Sequence, residues 1–251
     1  MKKTFLIAFL ILMGLTLIAA GCAAPETDGV IPQNDTAATA QGADAELFLR
    51  YLDAGNQFIE HLKKREQPPN EWDAGYFAPQ NNAAEVFDYF FDLDSMYVSA
   101  INLDPYNQDG FNCVISGDGK HGATCISVAF IGEDFKWHCA VADYFAPSQQ
   151  TVKGYMDLFR ADDYETIAAL IGEDYYDESL VPKVRNMVAE YKKEFDFSET
   201  SIGEIQLLSR FENVVRFNFT INGAPGALKD QISFEVVCGD GLIGPRFDHL
   251  N

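Results

Sequence analysis

The chain reads as an α+β protein of two small tandem domains, each with N-terminal helices packed on a curved antiparallel sheet. Three observations predict this. Helical apolar spacing precedes strand alternation in each half of the chain. Similar segments recur in the same order at an offset of roughly 105 residues: Ile126-Ser-Val-Ala-Phe-Ile-Gly-Glu-Asp returns as Ile232-Ser-Phe-Glu-Val-Val-Cys-Gly-Asp, Phe91-Asp92-Leu93 as Phe195-Asp196-Phe197, and residues 52–62 as 158–168. Helices followed by a run of strands is the α+β order, whereas alternation would signal a parallel sheet.

Taken in order, residues 1–22 are a charged start and an apolar run ending at Cys22. Residues 23–44, rich in Ala, Thr, Gln, Asp and Pro, have little to bury and read as a flexible tether. The first domain is expected over 45–146: a helix at 45–64, an aromatic loop around 72–77, a second helix at 83–91, then strands. Phe135, Trp137, Cys139 and Val141 alternate with polar or small neighbours, as a half-buried strand does. Residues 146–150 (Ala-Pro-Ser-Gln-Gln) supply the natural boundary. The second domain, 151–251, repeats the scheme with a helix at 151–171, aromatics at 175–176 and a helix at 181–194. Pro182 near the start of that helix costs no hydrogen bond there. Val215, Phe217, Phe219 and Ile221 mark a strand, and residues 116–122 and 222–226 carry turn chemistry.

Composition excludes some functions. Eighteen Lys and Arg face 38 Asp and Glu, a formal charge of −20, and removal of Lys2 and Lys3 would make it more negative. Such a surface repels nucleic acid, whose binding depends on cations neutralising phosphates, and it repels anionic headgroups as well. Apart from Cys22 there are four cysteines: Cys113, Cys125, Cys139 and Cys238. If 113–125 and 125–139 are hairpins about Gly119 and Gly132, three sulfurs lie abreast, which leaves one bridge or buried free thiols as alternatives. No cysteine or histidine spacing suits zinc.

Two resemblances add to this reading. Lys2 and Lys3, the apolar run from Phe5 to Ala20, and Ala19-Ala20-Gly21-Cys22 resemble a bacterial lipoprotein signal of Gram-positive type, with Ala19 where the lipobox usually has a larger aliphatic residue. The resemblance implies a lipid on Cys22 and a mature chain tethered outside the cell membrane, which would contact the membrane through that anchor. The helices-then-strands texture of each half, clearest in Met156-Asp-Leu-Phe-Arg-Ala-Asp-Asp-Tyr-Glu-Thr-Ile and the strands from 201 to 247, resembles the nuclear transport factor 2-like superfamily. That superfamily's cone-shaped domains include enzymes and non-catalytic binders alike.

No nucleophile elbow, Walker loop or metalloprotease motif is present, and no cofactor or metal is implied. Gly117, Gly119 and Gly122 spell G-x-G-x-x-G, but a strand follows them where a dinucleotide site needs a helix, so they read as a hairpin turn. Asp104, Asn107 and Asp109 lack the spacing of a calcium loop. The function expected is that of a tethered, extracytoplasmic binding module of the cell envelope, taking a small molecule or an envelope protein. Trp72, Tyr76, Trp137, Arg246 and Asp248 are its candidate ligand-binding residues. The alternative is an isomerase- or dehydratase-like enzyme, implied by the superfamily, whose general base in the first domain's cone would be drawn from Asp143 and His138.

Overall fold

The computed structural model describes residues 43–72, 83–103, 110–172, 178–211, 214–224, 228–239 and 242–247. The signal segment, nearly all of the tether, the Asp104–Asp109 turn, Tyr76 and Asp248 lie outside them. The first half begins with α1 (Ala43–Lys63) and α2 (Ala83–Phe90), followed by a short 3-10 turn at Leu93–Ser95. Helix α1 starts two residues before the expected position, within the ordinary spread of helix ends. Four strands follow as an antiparallel meander: β1 (Tyr97–Leu103), β2 (Gly110–Ser116), β3 (Cys125–Ile131) and β4 (Lys136–His138). Helix α1 lies so close on this sheet that a Cβ at Gly55 would meet Cys113 Sγ and Val98 Cγ2 at 2.8 Å each. Tyr51 of α1 stacks on Phe111 at 3.9 Å between ring centroids, and Phe58 meets Trp137 edge-on at 5.1 Å.

The second half is a longer version of the same plan. Three helices, α3 (Ala140–Ala161), α4 (Tyr164–Gly172) and α5 (Leu180–Glu194), precede a second meander. Its strands are β5 (Ser201–Phe211), β6 (Val214–Asn222), β7 (Gln231–Gly239) and β8 (Leu242–Arg246). The fold class is therefore α+β with two antiparallel four-stranded sheets. Beneath α3, Phe159 contacts Phe197, Phe234 and Phe247 at centroid distances of 5.2 to 6.1 Å.

Three expectations are corrected. Residues 146–150 are not a linker: α3 runs straight through them with Pro147 inside the helix. Buried Val141, Phe145, Ser148, Val152, Tyr155, Met156 and Phe159 keep helical spacing across the proline, so packing outweighs its lost hydrogen bond. The strand expected through Val141 stops at His138, and Cys139 is the N-cap of α3. The expected 151–171 helix breaks at Asp162, which closes α3 in the left-handed conformation (φ 57°) while its carboxylate accepts hydrogen bonds from Tyr164 and Lys192.

The cysteines do not line up. Cys113 stands opposite Val128, while Cys125 pairs with Ser116; none of the four is in a disulfide, and all are buried. Cys113 lies under Gly55 of α1, and Cys238 lies 3.1 Å from the buried hydroxyl of Ser148 on α3. Burial pushes the Cys113 thiol up to about 12. It pushes Cys238 to about 11, the Ser148 contact opposing the rise.

From Glu46 onward the two halves form one compact unit. Phe90 of α2 stacks on Phe217 of β6 at 6.3 Å, with Phe145 of α3 against both. The turn after β2 completes the junction. Gly119 is required there because a Cβ would fall 1.8 Å from the Ala123 carbonyl oxygen. Its neighbour His121 (φ 51°) uses its carbonyl to accept the Leu207 N–H of edge strand β5 at 3.2 Å. Two residues along, the Ile205 N–H donates to the Tyr89 hydroxyl at 2.8 Å. The G-x-G-x-x-G run is thus a hairpin turn that seals a sheet edge.

Candidate functional site

Three residues singled out in the sequence, Trp72, His138 and Asp143, meet at the strand-to-helix corner between β4 and α3. Side chains on β4 alternate, so Trp137 points into the core at 2 % exposure and His138 leaves from the opposite face. Asp143 sits in the first turn of α3, where the positive end of the helix favours a carboxylate. The five-residue step around the corner brings Asp143 Oδ2 within 2.6 Å of His138 Nε2. Residues 70–72 run parallel beside β4. The Trp137 N–H donates to the Asn70 carbonyl at 3.0 Å, and the Trp72 N–H donates to the Trp137 carbonyl at 2.7 Å. This pairing sets the Trp72 indole edge-on to the imidazole at 5.6 Å, with the indole 42 % exposed.

The cluster is half-buried and faces outward. When Asp143 accepts the Nε2–H, Nδ1 on the other side of the ring is the nitrogen left to meet a ligand. The exposed indole adds an apolar wall. This arrangement can take a donor group beside an aromatic face, or move a proton at the surface. It does not place the pair inside a cone, as was expected, because Trp137 and its neighbours fill the space on the core side.

The other candidates are scattered. Trp137 is a core residue whose indole N–H donates to the Pro68 carbonyl at 3.2 Å. Arg246 and Arg216 flank Glu235 at 3.5 and 3.7 Å across neighbouring strands, a cross-strand charge ladder on the second sheet. Among the described residues no group of three or more His, Cys, Asp and Glu could hold a metal ion. No helix among them is long and apolar enough to cross a membrane.

Two surface grooves were not anticipated. One, of about 200 Å³, is lined by Arg50, Asp53, Gln57 and His61 of α1 and by Asn70 and Phe135 opposite. Positions 50, 53, 57 and 61 share one helix face, a spacing that could have revealed this polar stripe. Asn70 (φ 62°) and Phe135 (φ 47°) are both left-handed, an uncommon state for Asn and a strained one for Phe. The other groove, of about 450 Å³, lies between the end of α5 and the start of β5 and is lined by Arg160, Lys192, Lys193, Phe195, Phe197 and Leu228. Its cations already have partners: Arg160 with Asp157, Lys192 with Asp162 and Lys193 with Glu190.

Comparison with protein families, with curated proteins and with solved structures finds no match to this chain.

Proposed function

We propose that this chain is a lipid-anchored extracytoplasmic protein whose folded part is a binding module of the cell envelope, meeting its partner at the surface. One observation carries the reading. In each half the space between helices and sheet is filled by aromatic side chains: Phe58, Phe111, Phe130 and Trp137 in the first, and Phe159, Phe195, Phe197 and Phe234 in the second. A ligand is therefore met outside the core, and the Trp72–His138–Asp143 corner offers an exposed aromatic wall beside an oriented polar group. The signal-like segment ending at Cys22 and the polar tether support the anchorage, and the repeated helices-then-strands order agrees with the superfamily resemblance.

A photo-crosslinking amino acid at Trp72 of the full chain in its native membrane tests this. A discrete adduct that His138→Ala abolishes is expected, and its absence counts against the reading. Cys22→Ser should release the chain from the membrane and stop incorporation of a labelled fatty acid.

A second reading, acid–base chemistry, is favoured by the 2.6 Å contact between His138 and Asp143. It would act at the surface corner. Its signature would be a bell-shaped pH–rate profile lost in both His138→Ala and Asp143→Asn.

A further inference from the structure

The two surface grooves treat their charges differently. In the larger one, each lining cation is paired with a carboxylate of the chain itself. In the smaller one, beside α1, Arg50 and Asp53 stand about one helical turn apart and neither is neutralised. Neither has an ion-pair partner among the described residues. Nor do they pair with each other, although residues three apart on a helix are neighbours. Other contacts hold each in place. The Arg50 guanidinium lies over the Phe135 ring at 5.3 Å from its centroid, and contact through the face of the group leaves its N–H donors available. Asp53 Oδ2 accepts a hydrogen bond from Gln57 Nε2 at 2.8 Å, and Oδ1 is left to meet a ligand. The backbone of Phe135 is left-handed (φ 47°), a strained state for phenylalanine. Tyr51 and Phe111 pack edge-on to its ring at 6.0 and 5.6 Å. A strained loop thus sets a fixed ring beneath the guanidinium. Below this charged rim, Phe58, Phe130 and Trp137 line the floor, each buried in the core.

We propose that this groove binds a free α-amino acid with an apolar side chain. Arg50 takes the carboxylate, Asp53 takes the ammonium group, and the side chain lies on the aromatic floor. Charge selects the class. A chain carrying −20 repels a free anion at long range, and a simple cation would leave Arg50 without a partner. A neutral sugar would neutralise neither group. A zwitterion carries no net charge and satisfies both through charge-assisted hydrogen bonds. Size agrees. The groove's volume of about 200 Å³ is below the ~300–1,000 Å³ of pockets that take drug-sized ligands. It has room for one small molecule and not for a length of peptide. The site shares no residue with the Trp72–His138–Asp143 corner and stands or falls apart from it.

Isothermal titration calorimetry of the full chain in detergent with L-leucine tests the site. Leucine is expected to bind at one site per chain. Leucinamide, which lacks the carboxylate, and N-acetyl-leucine, which lacks the ammonium group, should bind at least about tenfold more weakly. Arg50→Gln and Asp53→Asn, both at exposed positions, should each weaken leucine by a similar factor with thermal unfolding unchanged. Arg185→Gln removes a guanidinium that lies over Tyr164 in the second half, also at 5.3 Å, and should leave leucine binding as it is. Glycine, with no side chain to set on the floor, should bind more weakly than leucine. No binding of leucine at millimolar concentration overturns the inference. So does equal binding of leucine and leucinamide, or leucine binding that survives Arg50→Gln.

Discussion

Each half of this molecule lays a long helix on a four-stranded meander, but the two achieve the contact differently. In the first, α1 meets the sheet through a missing side chain, Gly55 lying on Cys113 and Val98. In the second, α3 meets it through Ser148 and Cys238 and a set of interlocking rings around Phe159. The one glycine of α3, Gly154, has open space where its Cβ would be. Close approach by backbone leaves no tolerance for added atoms, whereas approach through side chains leaves the helix free to vary on its outer face.

The sharpest test is alkaline. Among the four buried thiols, those of Cys113 and Cys238 are raised above the ordinary 9.0, so these two stay neutral in the fold while the unfolded chain ionises. Their contribution is intact below pH 9 and drains away as pH rises towards the folded values, costing about 2–3 kcal/mol per thiol near pH 11. Urea denaturation of Cys113→Ala and Cys238→Ala across pH 8 to 11 should show a flatter pH dependence in each variant, more so for Cys113. Next is Gly55→Ala, which should destabilise by about 1–3 kcal/mol through overpacking. Tyr89→Phe leaves the Ile205 N–H without its acceptor and should cost about 1 kcal/mol, with faster hydrogen exchange confined to β5. The smallest effect has the opposite sign. Gly154→Ala should stabilise by about 0.5–1 kcal/mol, because alanine restricts the unfolded chain and meets nothing in the fold. Thermal denaturation of the two glycine variants side by side checks the contrast, and equal effects would remove it.

Much of the architecture was legible because it is written in short-range pattern. Val215, Phe217, Phe219 and Ile221 alternate because one face of β6 is buried, and that period needs no tertiary knowledge. The repeated segments fall on matching elements in two cases. Residues 126–134 and 232–240 begin on the third strand of each sheet, and Phe91–Leu93 and Phe195–Phe197 each follow the last helix. The third match fails, since 52–62 lies within α1 whereas 158–168 spans the break at Asp162. Pro147 misled the boundary because a proline's local cost is visible in sequence and the buried face that offsets it is not. The site was half legible. His138 and Asp143 were chosen as a pair, but their corner depends on where β4 ends, and one residue of strand length decides which face the histidine takes. The polar stripe of α1 went unseen because Arg50, Asp53, Gln57 and His61 read as an ordinary solvated face until residues 68–70 and 134–135 stand opposite.

The unbroken run of α3 bears on how the chain is made. A ribosome delivers the first half before the second, and an early half joined by a loose linker could close its core while synthesis continues. Here that half ends inside a helix whose inner face belongs to sheet strands not yet synthesised. Phe90 and Phe145 pack on each other and on Tyr89, but the side of the cluster that Phe217 of β6 closes stays open until that strand is made. Until then the nascent chain carries an exposed aromatic patch, a natural target for a chaperone. Folding is therefore completed by the C-terminal strands, and a chain truncated anywhere before β6 keeps that patch open.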